Sequence, residues 1–101
     1  MWIITLFDLP ADTKKARKDY SEFRKNLLGE GFQMIQYSVY ARFTQSEERA
    51  RVIRGRVQDF LPPDGEVRVY SLTDLQYGKC EIFRGKVRGT PEKAPRQLTF
   101  L

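Results

Sequence analysis

The sequence predicts an α+β domain in which two helices cover one face of an antiparallel sheet. Strand-like runs rich in β-branched and aromatic residues alternate with two segments of helical period, and Gly or Pro punctuates the junctions. Size sets the scale. At 101 residues the chain makes one small domain with a single core and little surplus stability alone, which favours oligomerisation.

Trp2 to Phe7 reads as a strand whose two faces, Trp2/Ile4/Leu6 and Ile3/Thr5/Phe7, are both largely apolar. Such a strand needs cover on both sides. From Asp12 to Leu28 the period becomes helical: Ala16, Tyr20, Phe23 and Leu27 share one stripe, with Lys14, Arg17, Lys18, Arg24 and Lys25 on the other side. Gly29 and Gly31 then stop the helix. Phe32 to Phe43 reads as a second strand region, with Met34, Gln36, Ser38 and Tyr40 on one face and Ile35, Tyr37, Val39 and Ala41 on the other. Thr44-Gln45-Ser46-Glu47 has a capping-box pattern, opening a helix that gathers Ala50, Ile53, Val57 and Phe60 before Pro62-Pro63. Asp64-Gly65 is a turn, Glu66 to Thr73 a strand, and Lys79 to Phe83 a further short strand. These elements are assigned to the ferredoxin-like arrangement, β-α-β-β-α-β, over residues 1–83. Helices cover one side of such a sheet, so the two-faced apolarity predicts a homodimer packed sheet to sheet.

Residues 84–95 are rich in Gly, Pro and charge and read as a linker. Gln97 to Leu101 returns to strand-like residues, expected to pair with an open sheet edge of the partner protomer, which makes residues 84–101 a linker plus C-terminal strand.

Composition narrows the chemistry. Eighteen Lys plus Arg against thirteen Asp plus Glu give a net charge of +5 and a pI near 9.6, which suits a polyanionic partner. There is no histidine, which removes Ser-His and Cys-His nucleophilic pairs and histidine-bearing zinc sites. The single cysteine, Cys80, forms no internal disulfide and sits among apolar neighbours as a packing residue would, which fits a reducing compartment. The opening apolar run is too short for a membrane span or signal core, so a cytoplasmic protein with no membrane partner is expected.

Hydrolytic chemistry would then rest on carboxylates and a hard cation, and Asp8, ending the first strand beside a basic segment, is the candidate metal ligand. Magnesium, with manganese as the alternative, accepts one or two carboxylates when phosphate and water supply further oxygens. A two-fold axis near this strand end would bring two copies of Asp8 to one ion, which could polarise a phosphodiester and acidify a bound water. Asp12 and Asp74 are auxiliary carboxylates or, more simply, helix-start and turn residues. Lys14, Lys15, Arg17 and Lys18 crowd the first turn of a helix against its dipole, and with Arg24 they form the candidate nucleic-acid surface. Arg49, Arg51, Arg54 and Arg56 fall on different sides of the second helix and make no single stripe. An RNA-recognition motif shares the element order, but Val67 to Leu72 lacks its alternating aromatics.

Several segments, in this order, resemble the CRISPR-associated protein two (Cas two) family, especially members from type II systems. They are Trp2 through Asp8-Leu9-Pro10; Thr13-Lys14-Lys15 with Arg17, Tyr20, Phe23 and Arg24; Gln36-Tyr37-Ser38-Val39-Tyr40; Phe60 to Gly65; and Asp74 to Gly78. The resemblance implies a ferredoxin-like homodimer that binds duplex DNA between dimers of the CRISPR-associated integrase, protein one, in spacer capture. It also implies a metal-dependent endonuclease acting on single-stranded RNA or double-stranded DNA, with Asp8 as metal ligand and Ser38 near the dimer axis and catalytic region. Phe7 stands where many members have Tyr. The resulting expectation is a duplex-DNA-binding adaptor with metal-dependent nuclease activity. Its alternatives are a toxin-like endoribonuclease related to VapD and a non-catalytic RNA-binding module.

Overall fold

Strand β1 (Trp2–Asp8) takes the centre of the sheet, because apolar side chains on both faces leave it no side that prefers water. The structure is a computed structural model and describes residues 1–95. Helix α1 (Lys14–Gly29), strands β2 (Gln33–Gln36) and β3 (Val39–Phe43), helix α2 (Glu47–Asp59) and strand β4 (Glu66–Leu72) complete the main layer pair. The four-stranded sheet has the order β2-β3-β1-β4 and is antiparallel throughout. β1 pairs with β3 from Trp2↔Phe43 to Leu6↔Val39 and with β4 from Trp2↔Leu72 to Asp8↔Glu66.

The expected order β-α-β-β-α-β is present, but by a different division of the chain. Phe32–Phe43 is two strands: the chain reverses at Tyr37-Ser38, where Ser38 adopts a φ of 60°, and β2 folds back on β3 with a register shift between Met34 and Gln36. The segment after β4 forms helix α3 (Asp74–Gly78), not an approach to a further sheet strand. Strands β5 (Ile82–Arg84) and β6 (Val87–Gly89) make a separate two-stranded ribbon about Gly85, with a φ of +63°. The ribbon crosses the boundary expected at residue 83 and occupies part of the expected linker. The strand expected over Gln97 to Leu101 lies outside the described residues.

Helix starts follow local hydrogen bonding. Thr13 caps α1 by accepting from the Ala16 amide at 3.0 Å, so the helix begins two residues later than its period suggested. Ser46 caps α2, accepting from the Arg49 amide at 3.1 Å; Thr44, expected to open that cap, is instead buried and bonds the carbonyls of Met1 and Ser46. The true capping box is Thr73–Gln76 at α3. At the end of α1, Gly31 turns at a φ of +85°, and the Arg42 guanidinium donates to the Glu30 carbonyl at 2.6 Å, satisfying a helix-end acceptor.

Two cores result. On the helix side, Ile3 and Phe7 of β1 meet Phe23 and Leu27 of α1, Tyr40 of β3, and Ala50, Ile53 and Val57 of α2. Each large side chain buried here contributes roughly 1.5–3 kcal/mol. Phe7 is the hub, its ring 5.1 Å from Phe23, 5.6 Å from Tyr40 and 5.8 Å from Tyr20. On the other face, Trp2, Ile4, Ala41 and Tyr77 form a second cluster, with Trp2 stacked on Tyr77 at 4.3 Å. Helix α3 thus supplies, within the chain, part of the cover that the apolar strand demanded. The Tyr77 hydroxyl donates to Glu92, which draws the following segment against the same corner. Cys80, expected to pack inside, is exposed just beyond α3. Among the described residues this face stays open towards the Asp8 end, with Leu6, Ile35 and Val39 half-buried and Tyr70 48% exposed. Among the described residues no helix is long and apolar enough to cross a membrane.

Candidate active site at the end of the first strand

Strand alternation puts the Asp8 side chain on the same face as Trp2, Ile4 and Leu6, the face away from α1 and α2. Asp8 is exposed and directly opposite Glu66 in the β1–β4 register. One step back along the pair, Leu6 faces Arg68. Arg68 donates from Nε to Glu66 Oε1 at 2.6 Å. Leu6, Phe7, Asp8, Glu66 and Arg68 line a shallow cleft of about 190 Å³.

The Asp8 end is built by close backbone approach. Gly65, just before β4, has a φ of +90°, and a Cβ there would lie 2.7 Å from the Asp8 carbonyl oxygen and 2.7 Å from Leu9 Cδ2. Only glycine combines that conformation with that clearance. It sets where β4 meets β1, and so sets the Asp8–Glu66 juxtaposition.

Ser38 reaches the same end of the sheet: the Phe7 amide donates to the Ser38 carbonyl at 3.1 Å. Its hydroxyl lies 3.4 Å from the Tyr20 hydroxyl on α1, so it engages the helix layer and forms no hydrogen bond with Asp8 among the described residues. The Tyr37 phenol beside it is held above its ordinary value, first by the neighbouring Tyr20 phenol. Asp74 is separated from Asp8 by the length of β1, about 20 Å at 3.3 Å per residue. It binds the Met1 ammonium at 2.7 Å and gives Asp8 no help. Asp12 precedes the Thr13 cap and is exposed.

The basic residues of α1 divide by their place on the helix. At 100° per residue Lys14 and Lys18 project opposite the Phe23/Leu27 stripe, and Arg17 and Arg24 share one flank. Arg17 donates to the Ala11 carbonyl at 3.2 Å, bracing the loop that follows Asp8. Lys15, on the other flank, pairs with Asp19 at 2.9 Å, which favours its charged form and removes it from the free cationic stripe. No acidic residue occupies the first turn of α1. Of the α2 arginines, Arg54 bonds Ser71 and Glu47, and Arg56 pairs with Glu30, so these two have partners within the chain.

Among the described residues, no three His, Cys, Asp or Glu side chains gather as a metal cluster. Asp8 with Glu66 opposite is nevertheless a donor set that suits a hard, oxygen-preferring cation retaining most of its waters. Glu66 and Arg68 were not singled out in the sequence, and Gly65 only as part of a turn. The Asp64-Gly65 turn marks only where β4 starts; that Glu66 faces Asp8 follows from the β1–β4 register.

A family model described as CRISPR associated protein Cas2 matches residues 1–80. The chain belongs to that family. A relative from Parvibaculum lavamentivorans, named CRISPR-associated endoribonuclease Cas2, is 49% identical over 98 residues, covering 97% of each chain. A protein of the same name from Flavobacterium psychrophilum is 46% identical over 98 residues, covering 97% of this chain and 85% of that one. The crystal structure of Streptococcus pyogenes Cas2 at pH 6.5 superposes with a TM-score of 0.54 at 21% identity, over 72% of this chain and 87% of that chain, and supports the ferredoxin-like fold. The matched 1–80 region of this Cas2-family chain contains Asp8, Ser38, Glu66, Arg68 and the basic part of α1.

Proposed function

We propose that this chain acts in CRISPR adaptation as a homodimeric adaptor that binds duplex DNA beside the spacer integrase, and that its Asp8 end also cleaves phosphodiester bonds with a divalent metal. The observation that carries the reading is the convergence at one end of the sheet of an exposed Asp8, the basic first turn of α1 with no acidic residue in it, and a partly open apolar face. The open half-face around Leu6, Ile35, Val39 and Tyr70 fits a second protomer, because burying it would complete the cover of β1. A two-fold axis there would bring two Asp8 carboxylates towards each other. Magnesium held by them would polarise the phosphate and acidify a bound water. Lys14, Arg17, Lys18 and Arg24 supply cations for the nucleic-acid backbone, and Arg17 additionally braces the loop after Asp8.

A second reading, endoribonuclease action as the main task, is favoured by the names of the Parvibaculum and Flavobacterium relatives. One experiment serves both. Wild type and Asp8→Ala are incubated with single-stranded RNA and with duplex DNA across a magnesium and manganese series, with dimerisation measured by sedimentation. Asp8→Ala is expected to lose metal-dependent cleavage while keeping the dimer and most of the duplex affinity. Cleavage that persists in Asp8→Ala would sink the Asp8 mechanism, and absence of duplex binding by wild type would sink the adaptor reading.

A further inference from the structure

The phosphate-binding residues inferred from the sequence and the proposed metal ligand lie on different layers. Lys14, Arg17, Lys18 and Arg24 ride on α1, against one face of the sheet, whereas the Asp8 side chain shares the opposite face with Leu6. A phosphodiester seated at Asp8 therefore needs a cation on that opposite face. Among the described residues lining the Asp8 cleft, Arg68 is the only basic one.

Arg68 is well placed for it. It stands opposite Leu6 and two residues along the same strand face from Glu66, the cross-strand neighbour of Asp8. Glu66 takes the Nε hydrogen at 2.6 Å. A guanidinium has five N–H donors, so a fork anchored through Nε keeps donors for a second, anionic partner. The same contact offsets the charge of Glu66, which would otherwise repel a phosphate from the Asp8 cleft.

We propose that Arg68 binds the non-bridging oxygens of the phosphodiester presented to Asp8, with Glu66 as the residue that positions it. The proposal rests on Asp8 being the cleavage centre. The test measures steady-state cleavage of a labelled single-stranded RNA and of a duplex DNA by wild type, Asp8→Ala, Arg68→Gln and Arg68→Lys, each with magnesium titrated and the dimer checked by sedimentation. Arg68→Gln is expected to lower kcat/KM at least tenfold, chiefly by raising KM, with the magnesium midpoint shifted less than twofold. Arg68→Lys, which keeps the charge but loses the fork, is expected to recover part of the loss. Inactive Asp8→Ala beside Arg68→Gln with wild-type KM would overturn the Arg68 assignment while leaving the Asp8 reading intact. Undiminished cleavage by Asp8→Ala would instead overturn the reading on which the assignment rests. Loss of the dimer in Arg68→Gln would assign the residue to a protomer contact and equally overturn its role in phosphate binding.

Discussion

Replacing Gly65 by alanine tests how tightly the sheet end around Asp8 is built. The backbone at Gly65 has a φ of +90°, and an added Cβ would fall 2.7 Å from the Asp8 carbonyl oxygen, 2.7 Å from Leu9 Cδ2 and 3.0 Å from Leu9 Cα. The conformation alone costs an L-residue about 1–2 kcal/mol, and relieving the overlap by moving β4 away from β1 adds about 1–3 kcal/mol. The expected loss is therefore about 2–5 kcal/mol, a large part of the roughly 5–15 kcal/mol available to a domain of this size. Gly55→Ala is the internal control: it lies within α2 with nothing inside 4 Å of its built Cβ, so it is expected to gain about 1 kcal/mol. Urea denaturation at one fixed protomer concentration measures both, because an oligomer makes stability concentration-dependent. A loss below about 1 kcal/mol for Gly65→Ala would refute the close approach of Gly65 to Asp8 and with it the account of how Glu66 is brought opposite.

Other perturbations separate further contributions. Thr5 is fully buried and its hydroxyl has no hydrogen-bond partner among the described residues, so Thr5→Val is expected to stabilise by about 1 kcal/mol and raise Tm by about 4–8 °C; a lower Tm by calorimetry would show that the hydroxyl is satisfied. Burial first, and the Glu92 carboxylate next, hold the Tyr77 phenol well above its ordinary value, so its folded pKa exceeds its unfolded one. That contribution is complete below about pH 10 and fades as pH rises beyond it. Tyr77→Phe, which keeps the ring beside Trp2, should flatten the alkaline fall of stability in urea titrations between pH 9 and 11, and an unchanged fall would contradict the assignment. Substituting Lys14, Arg17 and Lys18 together by Gln should reduce the slope of log affinity against log salt for duplex DNA by about 2–3; an unchanged slope would move the binding surface off α1.

Much of the helix layer was legible because its residues obey one period each: Phe23 and Leu27, and Ala50, Ile53 and Val57, are buried as their spacing implied. The two-sided apolarity of β1 was equally readable and corresponds to two clusters. What the sequence hid were local reversals. β-branched and aromatic residues continue through Gln36-Tyr37-Ser38-Val39, so propensity saw one strand where a serine with positive φ makes a turn. Asp74-Leu75-Gln76-Tyr77 is too short to show a period, and its helix rests on a capping box and on Tyr77 stacking against Trp2, a contact between distant parts of the chain. Asp8 was visible as a lone carboxylate at a strand end. Glu66 and Arg68 became its neighbours only through the β1–β4 register, which no local pattern encodes.

That register also dictates when the cleft can exist. β1 occupies the middle of the sheet but is the first strand in the chain; residues 39–43 reach one side of it and residues 66–72 the other. Synthesis therefore exposes both edges of an apolar strand until distant segments arrive, a slow and aggregation-sensitive kind of closure. Asp8 is made early, yet the cleft around it needs β4, the strand of the main sheet that is synthesised last. A chain in which β4 has not docked would hold the carboxylate without Glu66 and Arg68 beside it, so the proposed chemistry would wait on closure of the main sheet.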